Sequence, residues 1–432
     1  MVRLGRLRRW LGAVALATML GGALFVAEGC APSADAGVVS GHAVDPWPYS
    51  TLQLGLMSGP GDAAAQRREA PFGFRYQYLS GGVNTGGSWQ SWGPGFVSKY
   101  IVESEAAHIV PVFSYYEIRQ SDPGAQDSDE QAADLGNLRN RRTMRAYYAN
   151  LKAFFQQAAS ATGPVVLQVE PDLWGYIEQR AKHQNASTVP AAVASSGMLD
   201  LRGMPNTAAG FAQAILVLRN NYAPHVIVAY HDSNWGTGVN IQSSHPDNGQ
   251  VAEMAVRSVD FYRSLDAKFN AVFAETSDRD AGYAQVVNGE GTSLWWARPD
   301  FWHLQEYLAA IHKALGLPIV IWQIPVGNTL MRVMNNTPYH YQDNKVQSLL
   351  GSAAPASSLL QAYARAGVAA LLFGSGQPSD TCACNNDHNR FGHLPAPIDG
   401  NTRRSLSTDD DGGYLMSVAA RYYRRGGLAL HH

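Results

Sequence analysis

Pro164-Val165-Val166-Leu167-Gln168-Val169-Glu170-Pro171-Asp172 is a short apolar run that closes on two carboxyl groups. Four to eight residues rich in Val and Leu, stopped by a proline that has no N–H for a ladder, read as a buried strand. Seven further runs have this character. Together the eight cover 51–58, 72–78, 108–115, 164–169, 225–230, 270–274, 318–322 and 368–373. Helical patterns fall between them. The segment 142–158 places Met144, Tyr147, Leu151 and Phe154 at helical spacing, and 62–69, 207–221, 250–265, 299–315, 357–366 and 413–425 complete the set. Alternating strand and helix signals predict a parallel sheet covered by helices. Eight units predict a closed (β/α)8 barrel of the TIM type, and no glycine-rich phosphate loop follows the first run to favour a dinucleotide fold.

Such barrels carry their active sites at the C-terminal ends of the strands. Acidic groups collect there in this chain. Glu117 follows run three, Glu170 and Asp172 run four, Asp232 run five, and Glu275, Asp278 and Asp280 run six. Glycosidic bond hydrolysis uses two carboxyls, one to protonate the leaving oxygen and one to attack or to activate water. Glu170 is the expected general acid, because it directly follows the apolar run and a half-buried carboxyl there holds its proton towards working pH. Glu275 or Asp232 is the expected base or nucleophile. Aromatic and amide side chains at the same ends supply sugar contacts: Tyr115, Tyr116, Trp174, His231, Trp235, Trp322, Gln323 and Asn328, together with Glu117, Asp172, Asp278 and Asp280. The six loops after the strands, 79–100, 116–141, 175–205, 276–298, 324–347 and 374–411, are long enough to build a cleft.

Val169-Glu170-Pro171-Asp172 resembles the E-P-D segment of family-6 cellulases, and 230–236 is placed like that family's D-A-G-H-A-G-W segment. The family's D-R-D-type acid segment precedes E-P-D, whereas Asp278-Arg279-Asp280 follows it here, so no residue inherits that acid. A glutamate after strand four is also similar to the general acid of the large retaining clan of barrel glycosidases. That clan's nucleophile follows strand seven, where this chain has Gln323. The resemblance implies a barrel glycoside hydrolase without naming its family.

Composition agrees with a carbohydrate partner. The chain has 432 residues, a net charge of -2, 16% charged residues, 20 tyrosines and 10 tryptophans. No basic footprint for nucleic acid is present. No cofactor or metal is implied: His231-Asp232 is a weak metal signal, no lysine ends a strand, and no G-x-S-x-G elbow appears. Two alternatives remain, a non-catalytic glycan-binding barrel and a barrel enzyme acting on another small polar substrate, which a metal bound at His231 and Asp232 would favour.

Residues 1–30 read as an export signal, with Arg3, Arg6, Arg8 and Arg9 before an apolar stretch. Ala27-Glu28-Gly29-Cys30 resembles a lipobox, so the expected location is secreted or anchored to the envelope through Cys30, the only expected membrane contact. Residues 31–49 read as a linker and 50–432 as the barrel. Cys382 and Cys384 read as a staple within a polar loop.

Overall fold

A computed structural model describes residues 47–277, 279–351, 358–374, 380–384 and 401–430. Eight parallel strands close on themselves: β1 (Thr51–Met57), β2 (Phe74–Ser80), β3 (Val110–Tyr116), β4 (Val166–Val169), β5 (Ile227–Asp232), β6 (Ala271–Glu275), β7 (Ile319–Ile324) and β8 (Val368–Phe373). Closure is shown by β1, which pairs with both β2 and β8. This is the (β/α)8 barrel that the sequence predicts. A ninth strand, β9 (Leu428–Ala429), runs antiparallel along the start of β1.

The helices are α1 (Ala63–Glu69), α2 (Phe96–Ala106), α3 (Glu130–Arg139), α4 (Arg141–Ala158), α5 (Pro171–Arg180), α6 (Ala208–Tyr222) and α7 (Ile241–Ser244). They continue with α8 (Asn248–Ser264), α9 (Ala281–Tyr283), α10 (Arg298–Leu315), α11 (Lys345–Leu350), α12 (Ser358–Arg365) and α13 (Tyr414–Arg424). No described helix is long and apolar enough to cross a membrane.

Strand side chains alternate between two cores, because successive residues of a strand point to opposite faces. Tyr76, Val112, Val166, Ala229, Phe273 and Leu372 fill the barrel interior. Phe113, Val169, Tyr230, Val272 and Leu371, one residue out of step, face the helices. This parity decides which strand-end residues reach the mouth. Tyr116, His231, Glu275 and Trp322 continue the inner series, whereas Tyr115 and Asp232 continue the outer one.

Two strand ends break the alternation. Glu170 and Gln323 both take the left-handed backbone region, with φ of 47° and 54°. That region is sterically costly for a residue with a Cβ and is held only where its surroundings over-determine it. At β4 the turn lets Pro171 open α5 in the first helical position, where a missing N–H costs nothing. At β7 it coincides with a register irregularity against β8 between Ile321 and Ile324.

The seam is latched at the bottom of the barrel. The Tyr422 hydroxyl donates to the Leu52 carbonyl at 2.7 Å and accepts from the Leu428 amide at 2.9 Å. Trp47 and Tyr49, within the stretch expected as linker, pack on Phe74, and the Tyr49 hydroxyl donates to the Gly73 carbonyl. The signal segment, Cys30 and the rest of the linker lie outside the described residues.

Candidate active site

A cavity of about 450 Å³ opens at the C-terminal ends of the strands, lined by residues that follow or end β1, β2, β3, β4, β6 and β7. Its aromatic walls are Tyr78, Trp92, Tyr116 and Trp322. Gln77, Gln120 and Gln323 supply amides, and Asp172, Glu275 and Glu130 supply carboxyls. Arg279 also reaches the lining, where its Nε lies 3.8 Å from Asp380 Oδ2.

Glu275 ends β6 on the inner face and accepts the Trp235 indole N–H at 3.1 Å. Trp235 is itself fixed between two elements. Its ring lies 4.8 Å from that of Tyr176, and its indole covers Gly175 so closely that a Cβ there would come within 2.5 Å. Gly175 is therefore a contact requirement for the indole that holds Glu275. Asp172 reaches the cavity from the first turn of α5, beside Tyr116. The Tyr116 hydroxyl donates to Glu130 Oε1 at 3.2 Å. Burial holds this phenol well above its ordinary range, and Asp172, Glu130 and Asp134 add to the rise. Opposite them, the Tyr78 hydroxyl donates to Gln323 Oε1 at 2.6 Å, and its ring lies 5.7 Å from Trp322.

Beneath the cavity floor a polar relay runs inside the barrel. The Ser114 hydroxyl donates to Gln168 Oε1 at 2.7 Å, which leaves Gln168 Nε2 to donate to His231 Nδ1 at 2.7 Å. The neutral ring then carries its proton on Nε2. Burial pushes the His231 pKa down to about 3, so the ring is uncharged at neutral pH. It stands edge-on to Trp322, with ring centres 5.5 Å apart. The indole N–H of Trp322 has no protein partner.

Of the expected site residues, Asp172, Tyr116, Glu275, Trp322 and Gln323 line the cavity. Trp235 braces Glu275, and His231 lies beneath the floor. Others go elsewhere. Glu170 does not line the cavity. Its left-handed turn carries the carboxyl under the loop after β3, where it accepts the backbone N–H groups of Glu117 (3.1 Å) and Ile118 (3.3 Å). Burial raises its pKa well above the carboxylate range. Asp232 points outward to the helices and accepts the Tyr307 hydroxyl at 2.7 Å. It therefore sits on the opposite face of β5 from His231, and the two cannot share a metal ion. Tyr115 donates to Asn150 behind the barrel wall, and Trp174 is fully buried with its N–H on the Val169 carbonyl.

Glu117 is also buried behind the wall, with Ser88 donating to it at 2.9 Å, and burial raises its pKa to about 7. Asn328 and Asp280 are loop staples. Asn328 caps Leu330 and Met331 and donates to the Asp411 carbonyl, and Asp280 accepts the amides of Gly327 and Thr381. Asp278 lies outside the described residues. Cys382 and Cys384 are joined in a disulfide.

Sequence patterns missed Tyr78, Gln120 and Glu130 as lining residues. Tyr78 continues the inner face of β2 and was legible by parity. Glu130 lies in a segment read as loop that folds as α3, and its Asp129 cap, which accepts from Ala132, is the signal for that helix.

No family model matches the chain, and no curated protein does. Among solved structures it is similar to a modular endo-β-1,4-mannanase of glycoside hydrolase family 26 from Cellulomonas fimi. That structure is 11% identical, with 86% of this chain and 70% of that chain covered and a TM-score of 0.46. A family-26 β-mannanase from Bacteroides ovatus is likewise 11% identical, with 87% and 89% covered and a TM-score of 0.45. Both are family-26 mannanases, and the barrel of this chain rests on its own strand pairing.

Proposed function

We infer that the protein hydrolyses glycosidic bonds in an oligo- or polysaccharide, with Asp172 and Glu275 as the working carboxyls. One observation carries this reading. Two carboxyls from different strand ends open on a single cavity that aromatic rings and amides line together with Glu130 and Arg279. Rings stack on sugar faces and amides bond their hydroxyls. Glu275, fixed at the inner end of β6 by the Trp235 N–H, is placed to act as the base or nucleophile. Asp172 opens on the same cavity from the first turn of α5, beside Tyr116, where it is placed to act as the general acid.

In the reaction, Asp172 protonates the glycosidic oxygen as its bond to the anomeric carbon breaks. Glu275 then either bonds to that carbon or takes a proton from the attacking water. A carboxyl separation of about 5–5.5 Å gives retention and one of about 6.5–9.5 Å gives inversion. We place this activity outside the cytoplasm, following the export signal in residues 1–30.

The test is reducing-end release from a broad polysaccharide panel by the wild type, Asp172→Asn and Glu275→Gln. Each variant is expected to lose about 10²- to 10⁴-fold in kcat, with its fold intact by circular dichroism. Undiminished release in both variants would refute the pair. Binding without release by the wild type would return the protein to the class of glycan-binding barrels.

A further inference from the structure

Away from the sugar cavity, the loop that leads into α13 collects oxygen atoms. Ser407, Asp409 and Asp411 alternate along it, and Gly412 follows in the left-handed region at φ 70°. Asp411 caps α13, accepting the amides of Gly413 at 2.9 Å and Leu415 at 2.8 Å. Asp409 is 4% exposed, and its Oδ1 is buried with no protein donor. Its side chain lines a smaller cavity, of about 250 Å³, between α13 and the last residue of α1. Glu69 and the hydroxyls of Ser407 and Ser417 open on the same space. Ser417 spends its proton on the Tyr414 carbonyl, which leaves its oxygen free to accept or ligate.

Two buried carboxyls thus stand together without a counter-charge. Among the described residues, no arginine or lysine pairs with Glu69, Asp409 or Asp411. Burial raises the pKa of both aspartates, and the Asp409 charge raises that of Asp411 further. Such a pair must keep a proton or gain a cation.

The oxygen set chooses among cations. It holds no thiolate or imidazole of the kind that softer metals prefer. The grouping of Cys382, Cys384 and Asp410 is tighter, but its sulfurs are spent in the disulfide. Carboxylate, hydroxyl and carbonyl oxygens on a loop suit calcium, whose shell is tolerant, better than magnesium, which demands a near-ideal octahedron. Oxygen-bearing residues at alternate positions, closed by a glycine at the sharp turn, let one loop wrap such an ion. Glu69, Asp409 and Asp411 do not bring three oxygens within 4.8 Å of one another, so Glu69, exposed on α1, would act through a bridging water.

We propose that Ser407, Asp409 and Asp411 hold a calcium ion, with Glu69 at its rim, and that the ion ties α1 to α13 across the seam where β1 meets β8. The site is independent of the hydrolase reading. Chelator-stripped protein is titrated calorimetrically with calcium chloride at neutral pH, and its thermal midpoint is read with calcium, with magnesium and with EDTA. Calcium should bind with a Kd of about 10⁻⁴–10⁻³ M, the range of extracellular modules. About 10 mM calcium should then raise the midpoint by about 2–3 °C, and magnesium by less.

Asp409→Asn keeps the side chain's shape and removes its charge, so it should weaken calcium binding about tenfold or more and abolish the rise. Glu69→Gln, on the exposed end of α1, should weaken binding several-fold. Circular dichroism checks that both variants fold. No calcium binding by the wild type, binding that Asp409→Asn leaves intact, or an equal response to magnesium overturns the proposal. A wild type that ignores calcium and loses stability as pH rises would show a shared proton in the ion's place.

Discussion

Asp232→Asn tests the division between cavity and wall in a single protein. The carboxyl is 2% exposed on the helix side of β5. Its Oδ2 accepts the Tyr307 hydroxyl, which also lies 2.8 Å from Ser258 Oγ. Burial raises its pKa from 3.8 to about 6, against the lowering effect of these hydroxyls. The unfolded chain releases this proton near 3.8, whereas the folded protein keeps it until about 6. Between those values the folded state binds more protons, so stability falls as pH rises, and the loss is complete above about pH 6. About two pH units at 1.36 kcal/mol each amount to about 3 kcal/mol.

Asparagine has no charge to bury, and its amide oxygen still accepts from Tyr307. The variant should therefore gain about 3 kcal/mol on the wild type between about pH 3.5 and 7. At about 2.1 cal/mol/K of unfolding entropy per residue, this is a relative rise of about 4 °C in midpoint. Glu178, which burial and then the Asp232 charge raise to about 8, adds a change of the same sign. Urea unfolding across that pH range measures the gain, and reducing-end release from the same samples measures cleavage, which should be unchanged. A folded variant that loses cleavage by a hundredfold would show that Asp232 acts on substrate and that the cavity is misassigned. A stability difference flat in pH would show that the carboxyl is not held neutral in the wall.

Glu170→Gln should fold within about 1 kcal/mol of the wild type and keep its cleavage, because glutamine resembles the protonated acid in shape. Glu170→Ala should cost about 2–4 kcal/mol by leaving two buried N–H groups unpaired, as denaturant titration would read. Gly175→Ala should cost about 1–3 kcal/mol and lower kcat, since its Cβ would displace the indole that holds Glu275. Gly136→Ala, whose Cβ meets nothing within 4 Å, is the control and should stabilise α3 by up to about 1 kcal/mol.

The barrel was legible because its signal is repeated and local. Val166, Leu167 and Val169 put apolar side chains on both faces of β4, as a strand covered inside and outside does, and Gln168 is the one polar member. Boundaries were less legible. His108 opens its run in the sequence, but it takes a left-handed turn at φ 55° and β3 begins at Val110. The site was legible as a region and illegible in its choice of carboxyl. Counting along β4 puts Glu170 at the mouth, and only its left-handed backbone gives that place to Asp172. Parity could have sent Asp232 outward, but no residue signals where β5 stops alternating. Asp280 and Asn328 misled for another reason: long loops need acceptors for their own backbone donors, and such residues look like ligands until the loops are folded.

β1 is the first of the described strands along the chain and the last to be sealed. Its second neighbour, β8, begins at Val368, and the tyrosine and short strand that latch its lower end lie beyond residue 421. A nascent chain lacking those residues is a curved, unclosed sheet with bare backbone along both margins, and such margins recruit other chains. Shortened products ending before Val368 should therefore coagulate rather than settle as smaller barrels. The growing polypeptide depends on being kept apart from its copies until β8 has emerged.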